Sequence, residues 1–77
     1  MNNQSYKERI TVDPDIMLGK PFIKGTRITV ELILRKLSEG MTFEDILIAY
    51  PHITKDDILA AISYSADVIS KEELIAT

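Results

Sequence analysis

One signature occurs three times in this chain, and it fixes where helices can begin. "ITVELIL" (28–34), "MTFEDIL" (41–47) and "ITKDDIL" (53–59) each set an apolar residue before a threonine and end on an Ile-Leu pair. A threonine N-cap accepts a hydrogen bond from an N–H that the first helical turn leaves unpaired. Acids just behind it suit the positive end of the helix dipole. In the second and third copies Asp45 and Asp57 stand three residues after the threonine, as in a capping box with Asp replacing the usual Glu. Met41 with Ile46, and Ile53 with Ile58, have the spacing of a hydrophobic staple.

Three helices follow. The first is expected over about Val30–Glu39, burying Val30, Ile33, Leu34 and Leu37, with Gly40 just beyond its end in a left-handed conformation. The second, about Phe43–Tyr50, would bury Phe43, Ile46, Leu47 and Tyr50 before Pro51 stops it. The third, about Lys55–Val68, presents Ile58, Ala61, Ile62, Ser65 and Ile69 on one face; "SKEEL" either continues it or opens a fourth turn capped by Ser70.

The first part of the chain reads differently. Residues 1–7 are polar and expected to fray. "ERITV" alternates as a short strand does, and "DPD" ends it. The tetrapeptide "RITV" stands at both 9–12 and 27–30, so two β-prone pieces bracket the loop "GKPFIKGTR" (19–27) and could pair as a ribbon, within one chain or across a dimer. The expected fold is α+β and mostly α: a tri-helical, helix-turn-helix core, winged-helix-like, with a short N-terminal β-ribbon. Its divisions are a flexible N-terminus (1–7), the domain (8–69) and a C-terminal helical tail (70–77).

At 77 residues the chain is short enough that a partner or a second copy is a natural expectation. It has no cysteine, no apolar run of membrane-spanning length and no apolar core of a signal peptide, which points to a cytoplasmic protein without a membrane role. Net charge is −3, unevenly spread. Residues 1–36 hold seven Lys and Arg against four Asp and Glu; residues 37–77 hold two against eight. Such polarity suggests two surfaces with different partners.

Catalysis is not expected. Asp56-Asp57 and Glu72-Glu73 are neighbours that diverge on a helix, and helix-start anions need no catalytic role. His52 is the sole histidine and sits in a turn, so no metal cluster, cofactor site or small-molecule substrate is expected. The loop lacks the spacing of a phosphate-binding glycine motif. What stands out is the basic set Arg9, Lys20, Lys24 and Arg27, joined by Arg35 and Lys36 on the first helix. On a ribbon they could meet phosphates and read guanine edges; equally, they could only keep an edge strand soluble. Readout by the third helix is disfavoured, because "TKDDI" would bring two carboxylates to the phosphates. Val68, Ile69, Leu74 and Ile75 form a second surface, to pack on the domain itself or on a partner protein.

Taken in order, Gly19-Lys20-Pro21, Gly25-Thr26-Arg27, Gly40-Met41-Thr42 and Tyr50-Pro51 followed by Thr54 resemble the domain-of-unknown-function 433 family over about Arg9–Tyr64. The resemblance implies a helix-turn-helix-like domain, often dimeric, that acts as the antitoxin of a type II toxin–antitoxin pair. It would restrain a PIN-like nuclease and bind operator DNA for autoregulation. The alternative is a protein–protein interaction module or dimeric adaptor that binds no DNA. The sequence departs from the family at Leu18, where glycine is common, and at Thr29, where proline is common.

Overall fold

The structure, a computed structural model, describes the backbone of residues 3–76 and the side chains of residues 6–71. It is a small α+β fold, mostly helical: α1 (Val30–Ser38), α2 (Phe43–Ala49) and α3 (Lys55–Ala76) beside a two-stranded antiparallel sheet of β1 (Ile10–Thr11) and β2 (Phe22–Ile23).

Each helix begins where its threonine predicts. Thr29 accepts from the Leu32 N–H at 3.0 Å. Thr42 and Asp45 complete a reciprocal capping box, with both bonds at 3.0 Å. Thr54 and Asp57 form the same pair of bonds at the start of α3, at 2.9 and 3.2 Å. Gly40, at φ +96°, lets α1 end in paired closing bonds: its own N–H reaches the Leu37 carbonyl and the Met41 N–H reaches that of Lys36.

The sheet differs from the expected ribbon. The two RITV segments do not pair with each other; both pair with the loop between them. Ile10 faces Ile23 and Thr11 faces Phe22. On the other side of β2, Phe22 bridges to Thr29, with the Ile23 N–H on the Ile28 carbonyl and the Val30 N–H on that of Pro21. The hairpin that Gly25 makes possible at φ +82° turns the second copy back onto β2 and fills the edge the first would need.

The core is built by Ile10, Ile23, Val30, Ile33, Ile46, Ile53, Ile58, Ala60 and Ala61. Fully burying each large aliphatic side chain is worth about 1.5–3 kcal/mol, and Ile33, Ile46 and Ile58 are fully buried. The expected inner faces of α1 and α2 are the observed ones, whereas the face of α3 differs. Ile62 and Ile69 are exposed, and the inner wall is made by Asp57, Ile58, Ala60, Ala61 and the partly buried Tyr64. The reason is that α3 is enclosed by more than one neighbour: α1 and α2, and also β1 and the N-terminal segment. It continues through "SKEEL" to Ala76 as one helix.

The N-terminal segment packs against α3. Asn3–Glu8 forms a 3-10 turn, the Tyr6 ring meets the Tyr64 ring edge-on at 5.5 Å, and its hydroxyl donates to Asp67 at 2.7 Å. This bond to a carboxylate is the main reason the Tyr6 phenol is held above its ordinary pKa.

Candidate protein-docking site

The sequence nominates two surfaces, and the structure treats them differently. Most of the basic set is engaged inside the fold. Arg9 reaches the start of α3, with Nη1 3.1 Å from Asp57 Oδ1 and Nη2 3.7 Å from Asp56 Oδ2. Lys20 Nζ and Arg35 Nη2 take the two oxygens of Glu31, at 2.9 and 3.0 Å. Those two cations, Lys20 first, hold the Glu31 carboxyl below its ordinary pKa. Lys36 lies 3.8 Å from Glu39, one turn along α1. Of the four cations 9, 20, 24 and 27, Arg9 is paired to the start of α3 and Lys20 to α1, while the Lys24 N–H donates to the Arg9 carbonyl across the ribbon at 2.8 Å.

Lys24 and Arg27 remain. Both are exposed on the turn after β2, and among the described residues neither has an ion-pair partner. The turn itself is well braced. The Thr26 N–H and hydroxyl both donate to the Ile23 carbonyl, at 3.0 and 2.8 Å, while the Thr26 hydroxyl oxygen accepts from the Ile28 N–H.

The second surface is an open groove of about 640 Å³ between α1 and α3. Pro21, Val30 and Leu34 line it from one side, Tyr64, Val68 and Ile69 from the other; Glu31, Arg35, Ser38 and Ser65 supply its polar lining. The groove exists because α3 outruns the core: past Tyr64 the helix faces α1 across a gap that no other element of the described chain fills. Val68 and Ile69 are exposed. Leu74 and Ile75, the other two residues of that nominated surface, have side chains outside the described residues.

One contact in this region was invisible to sequence reasoning. Tyr6 meets the Tyr64 ring and donates to Asp67, 61 residues away, and no local pattern signals it. Leu18 was visible as a departure from glycine, and the structure adds its conformation. It is 92% exposed and adopts φ +58° and ψ 28°, next to Met17 at φ +53°. A left-handed conformation costs a non-glycine residue about 1–2 kcal/mol. The departure from glycine noted at this position is therefore a physical cost.

Among the described residues no group of three or more His, Cys, Asp or Glu could hold a metal ion, and no helix is long and apolar enough to cross a membrane. The model of a protein family described as "Protein of unknown function (DUF433)" matches residues 10–65. The chain belongs to the DUF433 family. A crystallised DUF433 member from Anabaena variabilis has the same fold, with a TM-score of 0.78 and 27% identity over 96% of this chain and 74% of its own. An uncharacterised protein of Sinorhizobium fredii, y4eO, is 32% identical over 59 residues, which is 77% of this chain and 27% of that protein. An uncharacterised protein of Archaeoglobus fulgidus is 57% identical over 28 residues, 36% of this chain and 78% of its own length. The present chain thus spans about a quarter of the Sinorhizobium protein. The DUF433 match ends before Val68 and Ile69, so one end of the groove lies beyond the family's common segment.

Proposed function

We propose that the protein is the antitoxin of a type II pair: a small cytoplasmic, non-enzymatic module that docks on a PIN-like nuclease and restrains it. The α1–α3 groove is the observation that carries this reading. An open apolar cleft with exposed Val68 and Ile69 on one wall suits an apolar segment of a partner protein. The acidic second half of the chain adds electrostatic attraction to a cleft built to hold nucleic acid, since residues 37–77 carry eight acids against two lysines. The internal pairing of Arg9, Lys20 and Arg35 also favours a protein partner over a broad phosphate-binding face. Co-expression with a neighbouring PIN-like nuclease tests it: the two should co-purify, and Ile69→Lys should release the nuclease. Co-purification that is indifferent to Ile69→Lys and Val68→Lys overturns the groove's role.

A second, compatible reading concerns operator DNA. Lys24 and Arg27, unpaired on an exposed turn, favour a winged-helix-like contact by that turn, made by a homodimer. Lys24→Ala with Arg27→Ala should weaken binding to the protein's own promoter fragment and reduce its salt slope by about four ions, two phosphate contacts being lost from each of the two subunits. Unchanged binding and slope would remove this reading and leave the first intact.

A further inference from the structure

The side of α3 turned away from the core is apolar, where a solvent-facing helix side is ordinarily charged. Leu59, Ile62 and Ile69 are 46, 36 and 54% exposed, and Ala66 on the same side is exposed as well. These four recur at spacings of three, four and three, the seam by which one helix packs along another. Residues 58–70 include a single charged side chain, Asp67. Beside the seam lies a small hollow of about 230 Å³, lined by Ser63, Ala66, Asp67 and Ser70. Four residues at i, i+3, i+4 and i+7 are the set that forms a hole for one side chain of a facing helix. Three of them lie beyond residue 65, where the DUF433 match ends, so the match does not account for the hollow.

We propose that this face of α3 receives an α-helix of the partner protein. A large apolar side chain of that helix fills the hollow, and a lysine or arginine beside it meets Asp67. Charge complementarity selects this occupant. The Tyr6 hydroxyl takes one oxygen of Asp67 at 2.7 Å, and among the described residues no cation pairs with the carboxylate. One unpaired acid at the rim of an otherwise uncharged seam favours a single cation from the other side. The same acid disfavours a second copy. Two α3 helices meeting over their hollows would bring two Asp67 carboxylates face to face. Continuity adds to this: Ile69 also lines the α1–α3 groove, so seam and groove form one surface around α3. The inference rests on the docking reading above, and adds the partner's binding element and a second wall for it.

Titration of the neighbouring PIN-like nuclease with variants of the full chain tests it, with hydrogen exchange read on the nuclease. Ala66→Phe fills the hollow and should weaken binding at least about tenfold, as should Leu59→Lys. Asp67→Asn keeps an acceptor for the Tyr6 hydroxyl and loses the charge. It should weaken binding about threefold and flatten its salt dependence. Exchange protection should fall on one helix of the nuclease and disappear with Ala66→Phe. Melting of the free Ala66→Phe and Leu59→Lys proteins should match wild type, because both positions face solvent. Binding that ignores all three variants yet falls with Ile69→Lys and Val68→Lys overturns this inference and leaves the groove's role intact. Protection confined to a loop or strand overturns the helix as occupant. A nuclease that does not bind wild type at all overturns the antitoxin reading, and this inference with it.

Discussion

The starts of α2 and α3 share one local design in two different settings. Both pair a threonine with an aspartate three residues on, and both close the same two hydrogen bonds. At α2 the box faces water. At α3, Asp57 is only 8% exposed and takes a further bond from Arg9, 48 residues away. A capping box is a local event, but what it contributes depends on what the rest of the chain brings to it. Here a cation from the N-terminal strand segment turns a helix start into a long-range clasp between the ribbon and α3.

Substitutions that separate the two settings should give graded losses. Asp57→Ala removes the side-chain half of the capping box, leaves the Thr54 N–H and the Arg9 guanidinium short of a partner, and should cost about 2–3 kcal/mol in urea unfolding. Arg9→Met keeps the stem's packing and loses the charge; with the guanidinium half-exposed, the cost should be about 1 kcal/mol. Thr42→Ala removes only a surface cap, again about 1 kcal/mol. If Asp57→Ala costs no more than Thr42→Ala, the clasp contributes nothing and the two starts are equivalent.

The exposed box should also reveal itself in acid. The Thr42 N–H, and secondarily its hydroxyl, hold the Asp45 carboxyl below its ordinary value of 3.8. A carboxylate with a depressed folded pKa stabilises fully above its unfolded value and loses that contribution as pH falls through the folded one. Thermal melting should therefore drop below about pH 4 in part through Asp45, and Asp45→Asn should flatten that limb by lowering the neutral plateau while leaving the acid end nearly unchanged. The smallest effect concerns the loop. Leu18→Gly relieves left-handed strain and adds chain entropy to the unfolded state, for a net gain of up to about 1 kcal/mol in the dilute monomer.

How much of this was legible beforehand follows the same division. The helix starts, the Gly40 stop and the inner faces of α1 and α2 were readable because capping and 3.6-residue periodicity are local. The pairing partner of each RITV copy was not, since register depends on which edge the Gly25 turn fills first. Nor was the true face of α3: Ile62 and Ile69 fit a stripe, yet the strand and the N-terminal turn claim the side occupied by Ala60 and Tyr64. The basic set was visible as a cluster in sequence, but its use was not, because Asp57 and Glu31 reach Arg9 and Lys20 only through the fold. Of the docking surface, Val68 and Ile69 could be named, while its opposite wall on α1 required the structure.

One measurement bears most directly on the central claim that the basic residues mainly hold the fold while the α1–α3 groove does the binding. Titration of a co-encoded PIN-like nuclease with wild type, Ile69→Lys and the Lys24→Ala/Arg27→Ala double variant compares the two surfaces in one assay. The expected result is a loss of at least about tenfold in affinity for Ile69→Lys and little change for the double variant. Binding that survives Ile69→Lys and collapses when Lys24 and Arg27 are removed would contradict it.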